Sequence, residues 1–317
     1  MKIKKFCNVF VIMIIAAFSS SAWAGLGNEN AGTTVFNFLK IESAARPTAM
    51  GGAFTGLADD ASALYYNPAG TATLDGRQFI LGYNNSIIDI QSGFIGYIHP
   101  VGAERKFLVY LNYLNYGDFI RTDANGEVDG TFSGSDILFA AGYAMKVKED
   151  LQAGGTAKLI YEKIETYSAI GFAADLGLKW KLERSKTEIG LMIQNLGLQA
   201  STFVDGGDKE SLPLTIRGGF SSHLRGLPLL FAADLIYPTD NDLYFAFGTE
   251  LLSIKPLYIR LGWSSLGSNY KTDSDKDDLA GFAAGFGFDY NRMQLSYTIT
   301  PQAELGTSHR VTLTGGL

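Results

Sequence analysis

The sequence predicts an all-β fold: a transmembrane antiparallel β-barrel of about 14 strands, with an N-terminal hatch, or plug, inside its lumen. Three observations predict it. From Arg77 onward the 317-residue chain runs as period-two segments broken by Gly, Asp, Asn and Pro, with no helical stripe. One face of these segments is apolar and the other is mostly Gly, Ala and Ser with sparse charges, whereas a soluble β-sandwich would place abundant Lys, Glu and Thr on its wet face. The chain also opens with an export leader.

In that leader, MKIKKFCNVFVIMIIAAFSSSAWA, Lys2, Lys4 and Lys5 precede an apolar run over residues 6–18 and small residues ending in Ala22, Trp23 and Ala24. The run is shorter than the roughly 20 residues a spanning helix needs, so cleavage before Gly25 is expected. The expected division is a signal peptide over 1–24, a hatch over 25–76 and a barrel over 77–317. The sole cysteine, Cys7, leaves with the leader, so neither thiol chemistry nor a disulfide is expected in the exported chain. The formal net charge is −6, and losing three lysines makes the mature chain more acidic still, which argues against nucleic acid as a partner.

Fourteen alternating segments follow, near 77–84, 91–99, 106–115, 135–147, 150–162, 167–182, 187–196, 212–223, 228–237, 243–252, 256–265, 279–290, 291–299 and 308–317. An even count suits a single-chain outer-membrane barrel, and most segments are about 9–11 residues or somewhat longer, enough for a tilted crossing. In FAADLGLKWKL, Phe172, Leu176, Leu178 and Trp180 share one face, and Ala173, Asp175, Gly177 and Lys179 the other. Tyr83, Tyr97, Tyr161, Trp180, Tyr237, Trp263 and Tyr290 lie towards segment ends, as interfacial aromatics do. The last segment can pair with the first and leave no edge. It ends in Leu317, where outer-membrane barrels commonly end in an aromatic.

The expected inner face carries both signs of charge: Asp136, Lys158, Asp175, Lys179, Arg217, Asp234, Glu250, Arg260, Asp289, Arg292 and Arg310. Such a mixture is read as salt bridges bracing the lumen, not as a charge-selective pathway. A fourteen-stranded lumen is too wide for its own side chains to fill. The stretch GGAFTGLADDASALYYNPAG, residues 51–70, can fill it. Gly51, Gly52 and Gly56 allow tight turns and close backbone contact, while Asn67 and Pro68 signal a turn before Ala69. Arg46, Asp59 and Asp60 can pair with inward charges, and Met50 and Phe54 complete the candidate hatch set.

The run FLKIESAARPTAMGGAFTGLADDASALYYNPAGTATL, residues 38–74, resembles the N-terminal signature of the PorV/PorQ family, within the larger group of barrels similar to FadL. The resemblance implies a fourteen-stranded barrel with an internal hatch ending in Asn-Pro-Ala. It also implies a role in type IX secretion, receiving exported cargo and passing it to a surface attachment complex, with a working surface over 123–131 and 269–278. The alternative it implies is FadL-like transport of long-chain fatty acids or other hydrophobic small molecules, worked by the lumen and the hatch over 50–69. Either reading places the chain in the outer membrane of a Gram-negative bacterium, in contact with its lipid.

No catalytic, metal or cofactor site is expected. His99, His223 and His309 lack a spaced second ligand, and a serine-hydrolase role for His223 lacks an elbow or orienting partner. The acidic loop over 273–278 faintly suggests calcium but lacks the glycine and terminal glutamate of an EF-hand, so it is read as a solvated loop. The stretch DANGEVDGTFSG, residues 123–134, is read as an exposed hairpin loop.

Overall fold

A computed structural model describes residues 30–182, 186–272 and 274–317. The leader and its expected cleavage point lie outside the described residues, as does Asp273. The strands are β1 Gln78–Asn85, β2 Gln91–Pro100, β3 Arg105–Thr122, β4 Val128–Lys146, β5 Leu151–Ile164, β6 Tyr167–Leu182 and β7 Thr187–Ser201. They continue as β8 Thr215–His223, β9 Leu229–Pro238, β10 Tyr244–Leu251, β11 Leu257–Ser264, β12 Phe282–Tyr290, β13 Met293–Pro301 and β14 Thr307–Gly316.

Each strand pairs antiparallel with its sequence neighbours, and β1 pairs with β14 from Gln78 opposite Gly316 to Asn85 opposite His309. The sheet is therefore a closed fourteen-stranded barrel without edges. Alternation sets its two faces. In β6, Phe172, Leu176, Leu178 and Trp180 are exposed outside while Ala173, Asp175, Gly177 and Lys179 are buried inside. The connections β7–β8 and β11–β12 are long and leave one end of the barrel; those at the other end, such as 101–104 and 291–292, are short.

Three strands, β3, β4 and β7, run well past their expected bounds. The span 123–134 is a loop only in its first part, where Asp123 Oδ1 accepts the amides of Asn125 and Glu127. From Val128 it is strand, with Phe132 opposite Phe119 and Thr131 opposite Ile120. Cross-strand pairs of aromatic and β-branched residues carry this ribbon on through Gly and Asp, which read locally as loop. Strand β7 runs on to Ser201 because a bulge at Gln194 and Asn195 restores pairing with β6 rather than ending it.

Residues 37–73 occupy the lumen as short pieces: 3-10 turns over Asn37–Lys40 and Pro68–Thr73, and helices over Ala45–Ala49 and Ala63–Tyr66. Glycine turns at Gly51 and Gly52 and the extended Asn67 before Pro68 keep each piece short. The protein's buried cluster lies where this hatch meets the wall, joining Phe38, Met50, Phe54, Leu64 and Tyr66 to the inward Ile80, Phe94, Leu108, Tyr110, Leu138 and Ile160.

Candidate functional site

The hatch and the wall facing it form the candidate site. Gly51 and Gly52 have φ of 68° and 85°, a conformation that disfavours a side chain. A Cβ on Gly51 would lie 2.6 Å from the Trp263 amide nitrogen, so the hatch backbone rests directly on β11. The wall reciprocates, since a Cβ on Gly248 would strike the backbone of Met50 at 2.5 Å. On the far side Asn67 keys the hatch to β6, donating from Nδ2 to the carbonyls of Thr55 at 2.8 Å and Leu178 at 3.2 Å. Its Oδ1 accepts the Ala69 amide, and Gly177 leaves the space it occupies. Pro68 and Ala69 lie against Gly154, and Gly56 lies against Phe220.

Inward charges hold the hatch by its backbone. Lys179 Nζ donates to the carbonyls of Leu57 and Ala58 at 2.6 and 3.0 Å, and Arg217 donates to the Gly52 carbonyl at 2.6 Å. Asp234 Oδ2 accepts the amides of Phe54 and Thr55, and Arg310 Nε donates to the Glu42 carbonyl. These are groups the short hatch pieces leave without helical partners, and burying them unpaired would be costly.

Arg46 is the centre of a charged cluster. It donates to Asp59 and Asp60 within the hatch and to Glu250 of β10 at 2.9 Å. Glu250 also accepts from Arg260, which reaches Ser296 and Gln294. Burial opposes the Arg46 charge, but the carboxylates of Asp59, Glu250 and Asp60 outweigh it and hold the guanidinium above its ordinary pKa. Asp59 and Asp60 thus pair within the hatch rather than with the wall.

The other inward charges are placed differently. Lys158 pairs with Asp175 at 2.6 Å and donates to Asn195. Asp289 is half-buried and accepts from Tyr258 and Gln294. Asp136 is fully buried and accepts from Tyr116. Arg292, with φ 66°, sits in the tight turn between β12 and β13, exposed at the rim where it lines the short-turn cavity. Alternation carries no information through a two-residue turn, so its side was not readable from the period.

The hatch separates two cavities. One, of about 520 Å³, opens towards the long connections, is walled by Leu39, Ile41, Tyr65, Ile236 and Tyr244, and carries Arg217 and Arg310. The other, of about 730 Å³, lies at the short-turn end and is lined by Arg46, Asp59, Glu250, Lys255, Asp289 and Arg292. Sequence reading missed Tyr65 and Tyr66, whose edge-on contact continues to Phe54, and it missed the bulge residue Asn195. The available signal was the glycines in inward phase on β5, β6, β10 and β11, which mark where another backbone approaches. His223 lines the short-turn cavity at the end of β8. Of the loop spans singled out, 123–131 lies at the ribbon tip, while 269–278 falls in the β11–β12 connection with its two 3-10 turns, Asp273 lying outside the described residues.

A family model described as an uncharacterised protein family, UPF0164, matches residues 13–111. A UPF0164 protein of Treponema pallidum (strain Nichols) is 24% identical over 210 residues, 59% of this chain and 49% of the relative, so the chain spans about half the relative's length. Among solved structures, the P. putida toluene transporter TodX superposes with a TM-score of 0.62 at 14% identity, over 86% of this chain and 98% of that one. A Pseudomonas aeruginosa FadL homologue superposes with a TM-score of 0.53 at 11% identity, over 86% and 98% of the two chains. What stands of the expected resemblance is the FadL-like fourteen-stranded architecture. The family model over the signature segment is UPF0164, and nothing in these matches points to PorV or PorQ.

Proposed function

We propose that the chain is an outer-membrane channel that admits hydrophobic small molecules, with the hatch over 50–69 as its gate. The observation that carries this reading is the division of a closed barrel by its hatch into an apolar-walled cavity at one end and a charged one at the other. A hydrophobic molecule gains by leaving water for the first cavity, at about 25 cal/mol per Å² of apolar surface buried. Onward passage needs the hatch to move, and its contacts with β6 to β14 include hydrogen bonds and ion pairs that can be exchanged for water. The outward apolar face of the strands supports insertion in a lipid bilayer, and the fold supports an outer membrane. The chain acts without a catalytic centre or cofactor in this reading.

Secretion of cargo loses ground here. One of the superposed structures is a toluene transporter, which supports small-molecule passage over cargo handling. Native mass spectrometry of the full chain, extracted in mild detergent, tests the two readings. A retained acyl or aromatic molecule is the expected result. Co-purified exported proteins sharing a C-terminal domain, with no bound small molecule, would overturn it.

A further inference from the structure

We propose that Asp136 and Glu162 hold a hard divalent cation of the calcium class in the inner wall, close to the long-connection rim. The two residues stand directly opposite in the β4–β5 register, both facing inward, which sets their Cβ atoms about 4.5–5.5 Å apart. Asp136 is fully buried and Glu162 is 9% exposed. Asp136 Oδ1 and Glu162 Oε2 are each buried without a hydrogen-bond partner among the described residues.

The pair is an exception in this lumen. Buried Asp175, Asp234 and Glu250 each lie against a cation, respectively Lys158, Arg217 and the Arg46–Arg260 pair. No described lysine or arginine forms an ion pair with Asp136 or Glu162; the nearest inward base on β5, Lys158, is held by Asp175 and Asn195. The groups facing the pair supply one hydroxyl donor and one further carboxylate. Tyr116 of β3 donates its hydroxyl to Asp136 Oδ2 at 2.7 Å, and Glu210 of the β7–β8 connection is an electrostatic neighbour of Glu162. Ala169 of β6, opposite Glu162, adds no charge and little bulk.

Two like charges side by side in a buried site need a neutraliser. All donors present are oxygens, which suits calcium better than a softer transition metal, and a divalent ion balances both carboxylates. No group of three or more metal-ligating side chains occurs among the described residues, so water from the lumen would complete the shell. Such an ion would tie β3, through Tyr116, to β4 and β5 where the β3–β4 ribbon leaves the barrel.

Terbium titration of the full chain folded in detergent tests this, with tyrosine excitation so that Tyr116 sensitises a bound ion. Saturable emission displaced by Ca²⁺ is expected, with affinity of about 10⁻⁴ to 10⁻³ M, as in exposed calcium modules. Asp136→Asn with Glu162→Gln should abolish emission and the calcium-dependent rise in melting temperature. Asp275→Asn with Asp277→Asn, in the acidic loop, should leave both in place. Tyr116→Phe should dim the emission and keep the thermal shift. Absence of emission and thermal shift in the unaltered chain overturns the site, as does emission that survives in the Asp136→Asn, Glu162→Gln variant.

Discussion

The two sides of the lumen hold the hatch by different physics. Along β1 to β5 large apolar side chains face the hatch. Ile80, Phe94, Ile98, Leu108, Tyr110, Leu138 and Ile160 receive Leu64, Tyr65 and Tyr66. Tyr65 stacks edge-on against Phe94 and Tyr110 at 6.2 and 6.3 Å. Along β6 to β14 the grip is polar, through Asn67, Lys179, Arg217, Asp234, Glu250 and Arg310. Apolar burial is lost whenever the surfaces part, whereas polar contacts can be replaced by water. The difference teaches that a moving hatch should stay docked on the β1–β5 side and release from the β6–β14 side.

Removing residues 50–69 strips most of both grips and should have the largest effect. Liposomes carrying this variant should swell in small sugars like those with an open pore, and a barrel that stays tight would end the gate assignment. Leu64→Ala strikes the apolar side alone. Leu64 is fully buried against Gly96 and Ile80, so a loss of about 2–5 kcal/mol is expected, read as a lower urea midpoint. Equal loss from a polar-side change would break the comparison.

Leu178→Lys places a charge on the outer face, beside the inward Lys179, and should cost about 2–4 kcal/mol of membrane assembly near the bilayer midplane. Its folded fraction in lipid, measured by heat-dependent gel migration, should fall while hatch exchange in the folded fraction is unchanged. Arg46→Met is expected to be mildest, about 1–3 kcal/mol, since Glu250 keeps Arg260 and Asp59 reaches water. Hydrogen exchange should speed up over 54–60 and stay slow over 63–66; uniform acceleration would show that the hatch moves as one body.

Much of this was legible locally. Alternation in FAADLGLKWKL assigned both faces of β6, and each of the fourteen expected segments overlaps one strand of the closed barrel. The apolar half of the lumen was less visible, because β2 and β3 carry large residues on both faces and period two cannot say which face meets lipid. The ribbon beyond Val128 was hidden for the opposite reason: its Gly and Asp speak for a turn, and only pairing with Phe119 and Ile120 makes it strand.

The sequence by itself determined the wall, because strand alternation is a property of adjacent residues and needs no partner to be seen. It also determined that the N-terminal stretch is compact and turn-rich, through Gly51, Gly52 and the pair Asn67 and Pro68. Only the tertiary structure decided which groups meet. Arg46 finds Glu250 across 204 positions, Ala45 finds Thr298 across 253, and Asp136 faces Glu162 only because the β4–β5 register places it there. Barrel closure and register fix those encounters, and both arise from the whole sheet rather than from any one segment.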